Sequence, residues 1–153
     1  MSIDARLNEL GLSLPNAPLP AANYVPVVKV GNLVHVSGQI SQNPDGSLIT
    51  GKVGADLDTA AGASAAQRCA LGLLAQVHKA CDGDWDRLVQ AVKLVGFVNS
   101  TPDFGEQPMV INGASDLLVE VLGERGRHAR SAVSAGALPF NVAVEIEGIF
   151  EIK

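Results

Sequence analysis

Arg130 lies in the strand-like run ARSAV at 129–133, between the helical run ending near Leu122 and a second strand-like run, VAVEIEGIFEI at 142–152, which carries Glu145 and Glu147. A guanidinium beside apolar strands is costly to desolvate unless it holds a carboxylate or a phosphate. One reading is a structural ion pair with Glu145 or Glu147. The other is an anchor for a small anion. In that case Glu145, 15 residues onward, returns across the turn at Pro139 towards the same cleft. A guanidinium fork fixes a carboxylate through two bonds, and a nearby glutamate can orient or deprotonate water. Together they make this segment the first place to look for chemistry on a small carboxylate.

The elements that must position these groups are legible in the apolar periodicity. MSIDARLNELGL reads as a short helix with Ile3, Leu7 and Leu10 on one side, ended by Gly11. An irregular lead-in follows, with prolines at 15, 18, 20 and 26. VPVVKVG and NLVHVSGQI form two strands meeting at Gly31-Asn32, and Gly38 ends their clear alternation. NPDGSLITGKVGAD is a turn-rich loop. A long helix runs from about Asp58 to Cys81, with Asp58 or Thr59 as cap. Residues 88–99 read as a strand. Pro102, Asp103 and Glu106 suggest a capping box opening a second amphipathic helix that stops near Gly123. ARSAVSA and VAVEIEGIFEI are the closing strands.

These elements predict one α+β domain over residues 1–153, a two-layer sandwich in which a mixed sheet is covered on one face by two helices. Alternation sends Val142, Val144, Ile146 and Phe150 to the core, with Ala143, Glu145, Glu147 and Ile149 opposite. It likewise sets Val34 and Val36 against Leu33, His35 and Ser37, and Val92, Leu94 and Val98 against Ala91, Lys93, Val95 and Phe97. The second face is neither polar nor apolar throughout, which predicts burial between subunits.

With 153 residues the chain can bury roughly 68% of its unfolded surface. It needs no metal or disulfide to persist. The net charge is -5 and basic residues are scattered, which argues against a nucleic-acid surface. Cys69 and Cys81 fall on one predicted helix about 18 Å apart, too far for a disulfide. They suit a reducing cytoplasm, and no apolar span of membrane length is present.

His35, His78 and His128 share no metal-ligand spacing, so no metal is expected. His128, two residues before Arg130, would share its side and add positive potential for an anion, or else sit exposed on a strand edge. Ser37, Ser131 and Ser134 form no nucleophile constellation. Gly51-Lys52 lacks a phosphate-binding fingerprint, and its loop reads as a pocket rim.

An ordered set of segments resembles the reactive intermediate deaminase family, the YjgF/YER057c/UK114-like proteins historically grouped under endoribonuclease names. It comprises Tyr24, VSGQI at 36–40, the run around Asn112, ARSAV at 129–133 and LPFNVAVEIEGI at 138–149. The resemblance implies a chorismate-mutase-like fold and a homotrimer with a cleft at each subunit interface. It also implies cofactor-free hydrolysis of enamine or imine intermediates of amino acids to 2-keto acids and ammonia. The family's carboxylate-gripping arginine falls on Arg130, its water-placing acid on Glu145, and its cleft-lining residues on Tyr24, Gly38 and Asn112. From the residues alone, Tyr24 suits an interface anchor and Asn112 a surface amide equally well.

Several departures mark a distinct branch. Ala132 stands where the best-known members have cysteine, SAGALP replaces the usual VARLP, and one extra residue separates Asn112 from Arg130. These changes also fit a non-catalytic protein that binds a small carboxylate.

Overall fold

The computed structural model describes residues 1–153. Three α-helices, α1 (Ile3–Glu9), α2 (Thr59–Ala80) and α3 (Gln107–Leu122), accompany five strands. The strands are β1 (Val27–Val30), β2 (Leu33–Ile40), β3 (Leu88–Asn99), β4 (Ala129–Ala135) and β5 (Val144–Ile152). They form one mixed sheet in the order β1-β2-β5-β3-β4, with β3 and β4 parallel and the other pairs antiparallel. α2 and α3 cover one face and pack on each other, giving the expected α+β sandwich. No helix is long and apolar enough to cross a membrane.

Asp58 caps α2, accepting from the Ala61 N–H at 2.8 Å. The buried positions Ala65, Ala66, Cys69, Ala70 and Gly72 are small, so α2 lies close against its neighbours. α3 fills in the bulk with Val110, Ile111, Leu117 and Leu118. Both cysteines are free and buried, Cys69 on α2 and Cys81 just past its end, and burial pushes both thiols above their usual range.

The structure corrects the expected start of α3. Its N-cap is Glu106, which makes no side-chain capping bond, and Pro108 occupies the first turn. Asp103 lies in the preceding turn rather than in a capping box.

Alternation in β3 is also corrected, because register shifts between Leu88 and Gln90 and between Ala91 and Lys93 interrupt the ladder. Such bulges re-aim side chains, so Ala91 and not Val92 is buried with Leu94 and Val98. Ala143, expected to point outward, is fully buried, because it precedes β5 and bonds to Ile49 O outside the regular ladder. The opposite sheet face leaves Val28, Val30, Leu33 and Val133 exposed.

The proline-rich lead-in is fastened to α2 at one polar point. Gln76, 1% exposed, donates from Nε2 to Pro18 O at 2.7 Å. Gln76→Leu is expected to cost about 1 kcal/mol. It should also speed hydrogen exchange and proteolysis selectively around residues 13–23. Unchanged exchange there would show that Leu12 and Leu14 hold the segment alone, both being packed on the core.

Candidate functional site

The five residues expected at the site fall into two separate groups within one chain. Arg130 sits on edge strand β4 opposite Leu94, on the helix-covered face. Its Nη1 donates to Ser115 Oγ at 3.0 Å and its Nη2 to Pro108 O at 3.0 Å, both on α3. It forms no ion pair, so the structural pairing with Glu145 or Glu147 does not occur. Asn112 follows Pro108 by four residues and precedes Ser115 by three, so it lies on the same stripe of α3.

Hydrogen-bond chemistry fixes the direction of the network behind Arg130. Arginine has only donors, so Ser115 Oγ accepts from it. The Ser115 hydroxyl can then donate to His128 Nε2 at 2.8 Å, while His128 Nδ1 faces Gly126 O at 2.6 Å and must donate there. His128 does share the side of Arg130, but it is a neutral acceptor rather than a source of positive potential. Burial first, and the Arg130 charge in addition, push its pKa down against the opposing Gly126 bond.

Glu145 lies in the other group. It pairs in register with Ile40 on β2 and Phe97 on β3, on the sheet face away from α3. β3 separates β4 from β5, so the turn at Pro139 does not return Glu145 to Arg130. This corrects the expectation that the turn at Pro139 returns Glu145 towards Arg130.

Glu145 instead lines a cavity of about 750 Å³ with Tyr24, Gly38, Arg68 and the 15–22 segment. The cavity forms where β2 runs past the end of β1 and its register shifts between Val36 and Gln39. That bulge explains Gly38: a Cβ there would stand 2.7 Å from Glu145 Oε2, so any other residue would push the carboxyl group from this position. Burial, reinforced by Glu147, raises the Glu145 pKa. Tyr24, 47% exposed, sits at the rim. So does Phe140, which adopts the left-handed φ of 58° that bulky residues rarely occupy.

The loop around Gly51-Lys52 is not part of this rim. Lys52 Nζ instead donates to Asn99 Oδ1 at 2.8 Å and Gly136 O at 2.6 Å, tying the loop to the far end of β3. The sequence reading missed Ser115, Arg68 and Gln39. Arg68 did carry a signal, as the one charged side chain between Thr59 and Val77. The other two are ordinary polar residues until the fold places them.

The arrangement supplies a guanidinium fork, bonded to α3, on one surface and a carboxyl group in a largely apolar cavity on another. Residues 4–151 match the family model described as "YjgF/chorismate_mutase-like, putative endoribonuclease". Protein TCP17 of Trypanosoma cruzi is 48% identical over 152 residues, 99% of this chain and 94% of that protein. A 2-iminobutanoate/2-iminopropanoate deaminase of Dermatophagoides farinae is 30% identical over 143 residues, 93% of this chain and 95% of the relative. Among solved structures, Atu1372 of Agrobacterium tumefaciens superposes with a TM-score of 0.93 at 51% identity, covering 99% of this chain and 92% of that one. With a family match across nearly its whole length and the same fold, the chain belongs to the YjgF/RidA family.

Proposed function

We propose that the protein hydrolyses reactive enamine or imine intermediates of amino acids to 2-keto acids and ammonia, without a cofactor, at clefts between copies in a cytoplasmic homotrimer. The observation that carries this reading is the Glu145 carboxyl group, held by the Gly38 bulge in a cavity with no paired cation. Arg130 and Asn112 of one copy complete the cleft against Tyr24, Gly38 and Glu145 of the next, buried through the mixed open sheet face. Arg130 grips the carboxylate, and the protonated imine carbon faces Glu145. Glu145 takes a proton from the attacking water and returns it to the nitrogen of the resulting aminol; the C–N bond then breaks as the hydroxyl gives up its proton to solvent, releasing ammonia and leaving the keto acid. The deaminase relative supports the chemistry.

A base must be deprotonated, so kcat/KM for imine hydrolysis is expected to fall on the acid side. Its midpoint should lie above the ordinary glutamate range, because the Glu145 pKa is raised. Glu145→Gln should remove that limb and most turnover. A wild-type profile flat through the acid range, or full turnover in the variant, would sink the reading. The sign for stability is the reverse. A raised folded-state pKa means the folded chain binds more protons than the unfolded one between the two pKa values, so stability declines as pH rises through that window.

The second reading is non-catalytic binding of a small carboxylate. It is favoured by Ala132, and by Arg130 already donating to Ser115 and Pro108 within its own chain. Binding of 2-keto acids without acceleration of imine hydrolysis would select it.

A further inference from the structure

We propose that Ser115 and His128 are positioning residues for Arg130: they hold it through neutral acceptors, so that its full charge and three of its N–H groups stay available to a ligand carboxylate. The inference rests on the reading that Arg130 grips that carboxylate, and it explains how the grip is kept both aimed and unneutralised.

Arg130 stands on edge strand β4 and reaches α3 at two points about two helical turns apart. Its Nη1 donates to Ser115 Oγ and its Nη2 to Pro108 O, each at 3.0 Å. Bonds to two points that far apart fix the tilt of the guanidinium as well as its place, since it cannot rotate without giving one of them up. Neither acceptor carries a charge, and no acidic side chain pairs with Arg130. A partly buried cation held only by neutral groups keeps an unmet demand for an anion.

His128 sets the state of Ser115. A serine inside a helix can turn its hydroxyl to the carbonyl one turn back. Here His128 Nε2, at 2.8 Å, draws the proton the other way and leaves the Oγ lone pairs to Arg130. Nδ1 is committed as a donor to Gly126 O at 2.6 Å, so Nε2 accepts only while the ring is neutral. Burial first, and the Arg130 charge in addition, favour that neutral form. A carboxylate in place of the Ser115 hydroxyl would hold the guanidinium at least as firmly, but it would neutralise the charge a ligand needs. That contrast separates a positioning role from mere support of the fold.

The test titrates the intact protein calorimetrically with 2-oxobutanoate and follows thermal melting alongside. Ser115→Ala removes one of the two holds and should weaken binding about 3- to 10-fold, whereas Ser115→Thr keeps the hydroxyl and should stay within about 2-fold of wild type. His128→Leu should behave as Ser115→Ala, and His128→Gln, which keeps an acceptor near the place of Nε2, should recover most of the loss. Ser115→Asp should melt at or above the wild-type temperature yet bind at least about 10-fold more weakly, because its carboxylate occupies Arg130.

Wild-type affinity in folded Ser115→Ala, His128→Leu or Ser115→Asp would each overturn the positioning role. If Ser115→Asp does not fold, the contrast between alanine and threonine decides. Arg130→Ala, titrated in parallel, separates this inference from the reading beneath it. Binding that is absent from the wild type, or indifferent to Arg130→Ala, defeats the anchor role of Arg130 and the inference with it. Binding lost in Arg130→Ala but unchanged in the Ser115 and His128 variants defeats the positioning role alone.

Discussion

Arg130→Ala is expected to lower kcat/KM for imine hydrolysis by about 100- to 1,000-fold while the protein stays folded. A bidentate arginine-carboxylate pair combines charge-assisted bonding with orientation of the reacting carbon, and losing both costs roughly 3–4 kcal/mol of transition-state stabilisation. Within the chain the guanidinium bonds only Ser115 and Pro108 O, both on α3. Its removal therefore loosens one corner of the edge strand and leaves the core intact. Arg130→Lys keeps the charge but loses the fork, and should recover only part of the activity.

Mixing gives this prediction its sharpest form, because Arg130 and Glu145 lie on opposite sheet faces with β3 between their strands. If each cleft takes Arg130 from one copy and Glu145 from another, co-refolding equal amounts of Arg130→Ala and Glu145→Gln rebuilds some wild-type clefts. In a ring of randomly mixed copies, about one cleft in four has both residues intact. Activity should then recover to about a quarter of wild type from two inactive parents. Failure to recover any activity would mean that both groups act within one chain or that one of them takes no part.

Gly113→Ala is expected to give the largest loss of stability. Gly113 lies on α3 where it crosses α2, and a Cβ there would stand 2.0 Å from Ala63 O and 2.7 Å from the Ala63 carbonyl carbon. Those are backbone atoms inside a helix, so no rotamer change can relieve the clash and the two helices must separate. Alanine's gain in helix propensity, about 1 kcal/mol, is outweighed. Overpacking typically costs 1–3 kcal/mol, and a backbone clash belongs at or above about 3 kcal/mol. For a chain of this size that corresponds to a fall in Tm of roughly 6–12 °C, readable by thermal melting. A variant melting within about 2 °C of wild type would show that α3 can shift freely on α2. Lower activity would be expected as well, since α3 carries Pro108, Asn112 and Ser115 around Arg130.

The strands and helices themselves were legible locally. Residues 88–99 and 129–135 are strands with the expected bounds, Asp58 caps the long helix, and Gly31 turns the first hairpin with a φ of 60°. Each follows from propensity, capping or apolar period, which act over a few neighbouring residues. Bulges were not legible, because an interrupted ladder depends on what the neighbouring strand presents. That is why Ala91 rather than Val92 is buried in β3.

The candidate site divides in the same way. From the sequence alone came the family and the identity of Arg130, Glu145, Tyr24, Gly38 and Asn112, since these depend on residue type and order. Only the tertiary structure decided which of them meet. The strand order places β3 between β4 and β5, so neighbours in sequence lie apart in space, while Arg68 on α2 joins Glu145 and Gln39 around one cavity. Strand order and helix crossing arise from contacts between distant segments, and those contacts, rather than any local pattern, set which side chains converge.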